Sequence, residues 1–193
     1  MKDLQLFEIR ETDYRLAKQV RLSIANLIYS KLPGYVFSFC NEKTIFLPKR
    51  GSVTYVVGED LKRILGYAKC HESNPGLIAA ASRLPSLDSK KVIDANGVSV
   101  KRQDLSRFDG YNRYRGQGKT LCIGLCETFK QRKGIGSFML EQIKQKEYEL
   151  IELESLDQNS TMFYEKMGFI HTGLYTWNGH GEDLRYPVMV WNK

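Results

Sequence analysis

The apolar positions of the chain form a strand–helix–hairpin opening, a weakly patterned middle, and a strand–loop–helix–strand close. Leu4 to Arg10 reads as a strand, and Thr12 or Asp13 can cap the helix that follows. From Tyr14 to Lys31, Ala17, Val20, Ile24, Leu27 and Ile28 recur at helical spacing, with Arg21, Ser23 and Asn26 between them. Pro33-Gly34 ends that helix. After the turn Pro48–Gly51, Val53 to Val57 and Ile64 to Cys70 are strand-like runs joined by Gly58–Lys62, which predicts a hairpin. Leu121 to Cys126 is an apolar strand, and Phe138 to Glu147 carries a helical pattern. Leu150, Ile151 and Leu153 make another strand, and Ser155–Ser160 leads into a short helix with Phe163 and Tyr164. Phe169 to Trp177 and Leu184 to Trp191 form a closing hairpin over Asn178–Asp183.

The sharpest local signal is Gln131-Arg132-Lys133-Gly134-Ile135-Gly136-Ser137, between the Leu121–Cys126 strand and the Phe138–Glu147 helix. Two glycines one residue apart let the backbone turn tightly and approach a ligand without Cβ atoms in the way. The N–H groups that open the next helix then point at that ligand, and the helix dipole favours negative charge. Lys130, Arg132 and Lys133 add positive charge. The chemistry is that of a phosphate cradle, and a diphosphate fits it best.

Length and composition bound the rest. At 193 residues, with 42% apolar and 26% charged residues, the chain is expected to be one globular domain, 1–193, with an enlarged connection at about 71–118. The net charge of +7 suits an anionic cofactor and equally nucleic acid or an acidic surface. Cys40, Cys70, Cys122 and Cys126 include no Cys-x-x-Cys pair, and His71, His171 and His180 have no zinc spacing, so no metal is expected. Cys122 and Cys126 share one strand face at about 13 Å, too far for a disulfide. Free thiols point to a cytoplasmic location. No apolar leader or membrane-length run is seen, so no membrane partner is expected.

A second motif gives the first one a context. Phe163-Tyr164-Glu165-Lys166-Met167-Gly168-Phe169 follows the next apolar strand. Together with the Gln-x-x-Gly-x-Gly loop, it resembles the GNAT (GCN5-related) N-acetyltransferases, in which the loop holds the coenzyme-A diphosphate. Gly66-Tyr67-Ala68 looks like a strand common in that family. The two main motifs cover the C-terminal third of the chain.

The resemblance implies an α/β (α+β) fold: a mixed, mostly antiparallel sheet with helices on both faces, binding acetyl-CoA as co-substrate. It implies direct attack of an amine on the thioester. Backbone N–H near Leu125 and Cys126 would polarise the carbonyl. Gln131, Arg132, Lys133, Gly134, Ile135, Gly136 and Ser137 would hold the diphosphate, with Asp157, Asn159 and Phe163 as further cofactor contacts. Relatives carry asparagine where this chain has Asp157 and alanine where it has Ser160, which leaves the contacts to the cofactor's lower arm open. Tyr164 is the expected general acid, since a phenol can hand a proton to a thiolate whose thiol pKa is about 8.5. The alternative is that it only packs against the pantetheine. The acceptor amine must lose a proton to attack, and Glu127 is the first candidate base, with Glu152 and Glu154 behind it. Tyr35, Phe37 and Phe39 are either a strand's buried face or acceptor contacts, and His180, Glu182 and Asp183 either a plain turn or acceptor contacts.

Residues 71–118 remain the weak part of the pattern. Arg102, Arg107, Arg113 and Arg115 interleave with Phe108, Tyr111 and Tyr114. That mixture reads first as a solvated loop, and alternatively as a lid or a nucleic-acid or protein-binding surface running from Arg102 to Arg115. Gly118-Lys119-Thr120 is not the end of a nucleotide-triphosphatase loop, because Arg113 stands where the required glycine would be and Thr120 opens a strand. Two alternatives to a small-amine acetyltransferase follow: an enzyme acting on aminoacyl-tRNA or a basic protein, and a non-catalytic coenzyme-A-binding module. The oligomeric state is open between monomer and homodimer.

Overall fold

The computed structural model describes residues 4–10, 12–31, 51–73, 91–113, 118–129, 133–177 and 185–193. Eight strands and three helices appear among them. They are β1 (Gln5–Arg10), α1 (Tyr14–Lys31), β2 (Ser52–Gly58), β3 (Ile64–Ser73), β4 (Lys91–Ile93), β5 (Lys119–Thr128), α2 (Ile135–Lys144), β6 (Tyr148–Glu154), α3 (Gln158–Lys166), β7 (Ile170–Trp177) and β8 (Arg185–Asn192). Two 3-10 turns, Arg102–Arg107 and Tyr111–Arg113, lie between β4 and β5. The strands run in the order β1-β2-β3-β5-β6-β8-β7-β4. The β5–β6 pair is parallel, while β1–β2, β6–β8, β7–β8 and β4–β7 are antiparallel, which is the mixed, mostly antiparallel sheet expected. No helix among the described residues is long and apolar enough to cross a membrane.

Two compact units divide the chain: Met1–Cys70 with Leu125–Gln142, and His71–Gly124 with Ile143–Lys193. In the first, β1 pairs with β2 from Gln5 opposite Gly58 to Arg10 opposite Val53. The first part of the helical stripe on α1 lands as its spacing requires: Val20 and Ile24 are buried with Ile9, Val56, Ile64 and Tyr67, and Leu16 and Ala17 pack alongside, while the side chains of Leu27 and Ile28 lie outside the described residues. The β2–β3 turn is held by Asp60, whose Oδ1 accepts the N–H groups of Lys62 (2.7 Å) and Arg63 (2.8 Å). Those bonds hold the Asp60 carboxyl below its usual range.

In the second unit, β6 registers with β5 from Tyr148 opposite Lys119 to Leu153 opposite Ile123, and with β8 from Leu150 opposite Asn192 to Glu154 opposite Val188. Its core joins Val92, Leu105, Tyr111, Cys122, Leu150, Leu174, Val188 and Val190, with Val100 and Phe108 packed on it. This corrects the reading of the 102–113 stretch. It is not a plain solvated loop, and Tyr111, at 4% exposure, has no free face on which a base could stack. Gly110 makes this docking possible. It sits at φ +81°, and a Cβ there would lie 2.1 Å from Val190 Cγ2. Its carbonyl accepts a 2.8 Å bond from the Asn192 amide. Burial pushes the Tyr111 phenol well above its ordinary range, and the neighbouring Glu152 carboxylate pushes it the same way.

Candidate active site

The loop after β5 turns into α2 at Gly134, which adopts the left-handed φ of +70° that a side chain would resist. Its carbonyl accepts the first helical bond, from Phe138 N at 2.9 Å. The N–H groups of Ile135, Gly136 and Ser137 therefore stand in the first turn, where a helix supplies no acceptor of its own. Lys133 and Gly134 are exposed, Gly136 and Ser137 half-buried, and Ile135 buried as the anchor of the turn. A donor-rich bend beside an exposed ammonium fits a diphosphate. Gln131 and Arg132 lie outside the described residues, as do Tyr35, Phe37, Phe39, Arg115, His180, Glu182 and Asp183.

Leu125, Cys126 and Glu127 lie on the last part of β5, and all three are half-buried. Leu125 packs against the core of the first unit, and Cys126 is in no disulfide among the described residues. Glu127 Oε2 accepts a 3.1 Å hydrogen bond from the hydroxyl of Tyr67. Tyr67 is itself buried and stacked on Phe129, with ring centroids 5.9 Å apart. Next to it Gly66 allows β3 to come close: a Cβ there would stand 2.9 Å from the Glu127 carbonyl and 3.3 Å from Ile135 Cγ2. Sequence reasoning found the Gly66-Tyr67-Ala68 strand but missed the role of Tyr67. Only the Gly-Tyr-Ala run itself pointed to the place.

On α3, Asp157 is the N-cap. Its Oδ1 accepts the Ser160 N–H at 2.7 Å, and Ser160 Oγ accepts the Asp157 N–H at 3.0 Å, closing a reciprocal capping box. The backbone bond from Ser160 holds the Asp157 carboxyl below its usual range. The two departures from the family pattern, Asp157 and Ser160, thus belong together as one cap. Asn159 is exposed in the first turn. Tyr164 is the buried residue of α3, its ring 5.3 Å from that of half-buried Phe163 and edge-on to Phe169 at 5.7 Å. Of the other two candidate bases, Glu152 is fully buried beside Tyr111 and Glu154 is half-buried.

These elements, in this order, are the fold of the GNAT N-acetyltransferases, and the chain has that fold. Among similar solved structures, a mosquito arylalkylamine N-acetyltransferase-like 5b superposes with a TM-score of 0.56 at 14% identity, over 98% of this chain and 100% of that one. NAA60 of Arabidopsis thaliana, in complex with acetyl-CoA, gives 0.54 at 11% identity, over 98% of this chain and 99% of that one. An aminoglycoside acetyltransferase from an uncultured soil metagenomic sample, in complex with sisomicin, gives 0.50 at 14% identity, over 86% of this chain and 87% of that one. No family model and no curated protein sequence matches the chain.

Proposed function

We propose that the chain is an acetyl-CoA-dependent N-acetyltransferase that moves an acetyl group to a primary amine by direct attack. The observation that carries this reading is the left-handed Gly134 opening α2 directly after β5 in a GNAT fold. Acetyl-CoA, when bound, supplies the activated acetyl group as a thioester. Lys133, with the N–H groups of Ile135, Gly136 and Ser137, holds the diphosphate, and Gln131 and Arg132 belong to the same loop. Backbone N–H near Leu125 and Cys126 stabilises charge on the carbonyl oxygen.

Glu127 takes the proton from the acceptor ammonium, and Tyr67 keeps its carboxylate oriented. Tyr164 returns a proton to the leaving thiolate. The capping box at Asp157 and Ser160 holds the start of α3, and in this reading Asn159 and Phe163 supply further cofactor contacts. NAA60 carries acetyl-CoA in its structure, which supports the same donor here. The buried ring of Tyr111 favours a small amine or a peptide amine over an RNA-bound acceptor. The test is turnover of labelled acetyl-CoA against arylalkylamines, aminoglycosides, polyamines and peptides. Transfer to one class supports the reading, and tight acetyl-CoA binding with no transfer to any of them favours a non-catalytic module.

A further inference from the structure

Tyr164 packs against Phe169, just past the end of α3. Phe169 N donates to the Tyr164 carbonyl at 3.0 Å and Gly168 N to the Glu165 carbonyl at 2.8 Å, with Gly168 at φ +78°. This is a Schellman ending, and its hydrophobic contact is the edge-on pair of Tyr164 and Phe169. Such an ending leaves the carbonyl of the C-cap residue, here Met167, in need of a donor.

Lys144, the last residue of α2, supplies it: its Nζ donates to the Met167 carbonyl. The same ammonium lies 5.8 Å from the centroid of Phe169 and 5.7 Å from that of Trp191, so it is gripped by two aromatic rings. A cation at the negative end of α3 is also favoured by the helix dipole. One charge therefore fixes both the cap and the ring that packs on Tyr164. Nothing else in the mechanism uses it.

We propose that Lys144 is a positioning residue that acts through Met167 and Phe169 to hold Tyr164 in its proton-donating orientation. The proposal rests on Tyr164 acting as the general acid. Lys144 stands at the opposite end of α2 from the Gly134 bend, so the loss is expected on kcat and not on the KM for acetyl-CoA.

The experiment is a double-mutant cycle with K144M and Y164F on an accepted amine, beside thermal melting of each protein. Y164F is expected to lower kcat about 100-fold. K144M is expected to lower kcat roughly 10-fold with KM for acetyl-CoA unchanged, since small misplacements of a reacting group are costly. In the Y164F background K144M is expected to change kcat by less than about twofold. K144R, which restores a cation and donors, is expected to recover most of the loss. An equal kcat loss from K144M in both backgrounds overturns the proposal. Should K144M not fold, K144Q goes through the same cycle, and a protein that folds with neither marks Lys144 as a general structural residue, which also overturns it. A Y164F enzyme with unchanged kcat instead removes Tyr164 as the acid, a separate failure read from that single variant.

Discussion

The hydroxyl of Tyr67 donates a 3.1 Å hydrogen bond to Oε2 of Glu127, joining β3 to the end of β5. If Glu127 accepts the amine proton, E127Q lowers kcat about 100-fold or more while the KM for acetyl-CoA stays put. Y67F keeps the ring that stacks on Phe129 and removes the hydroxyl that donates to Glu127. It is expected to cost about 1 kcal/mol, near fivefold in kcat. Steady-state kinetics of the two variants check this, and an E127Q enzyme of wild-type kcat would remove Glu127 as the base.

The cap of α3 carries a stability prediction with a pH dependence. D157A removes the acceptor of the Ser160 N–H and is expected to cost about 1 kcal/mol. For a chain of this size that is a drop in Tm of roughly 2–4 °C at neutral pH. The folded-state pKa of Asp157 lies below its unfolded value, so the stabilisation is fully present above the unfolded carboxyl range and is lost as pH falls through the folded value. Melting curves of wild type and D157A are therefore expected to converge in acid, and a gap that widens there would contradict the assignment.

Two glycines of like backbone angle separate conformational strain from packing. Gly110 and Gly173 sit at φ +81° and +78°. A Cβ on Gly173 meets nothing within 4 Å, while one on Gly110 meets Val190 Cγ2 at 2.1 Å. G173A is expected to cost about 1–2 kcal/mol from the left-handed backbone alone. G110A adds an overpacking cost of about 1–3 kcal/mol. Denaturant melts that rank the two the other way would mean that Tyr111 and its turn are not seated on β8 as described.

Much of this architecture was legible in the chain itself, because periodicity and glycine placement are local. The stripe from Ala17 to Ile24 lands on the core, the Val53–Val57 and Ile64–Cys70 runs become β2 and β3, and the glycine loop sits between β5 and α2. What escaped is what depends on distant partners. Tyr67 and Glu127 are 60 positions apart, and Lys144 and Met167 are 23 apart. The 102–113 stretch misled for the same reason. Arginines alternating with aromatics have one composition whether the rings face water or a core, and the seat of Gly110 against Val190 decides it. Asp157 departs from the family pattern, and its reason shows only in the fold, where Ser160, three residues on, returns its bond.

The central claim is that the bend at Gly134 grips the diphosphate of an acetyl donor. Titration calorimetry of acetyl-CoA into the wild-type chain and into G134E tests it most directly, with circular dichroism confirming that the variant folds. A glutamate at a left-handed position in the bend would fill it and bring a like charge to the phosphates. The account expects saturable binding to the wild type and none to G134E. Equal affinity in the two proteins, or no binding to the wild type, would contradict it.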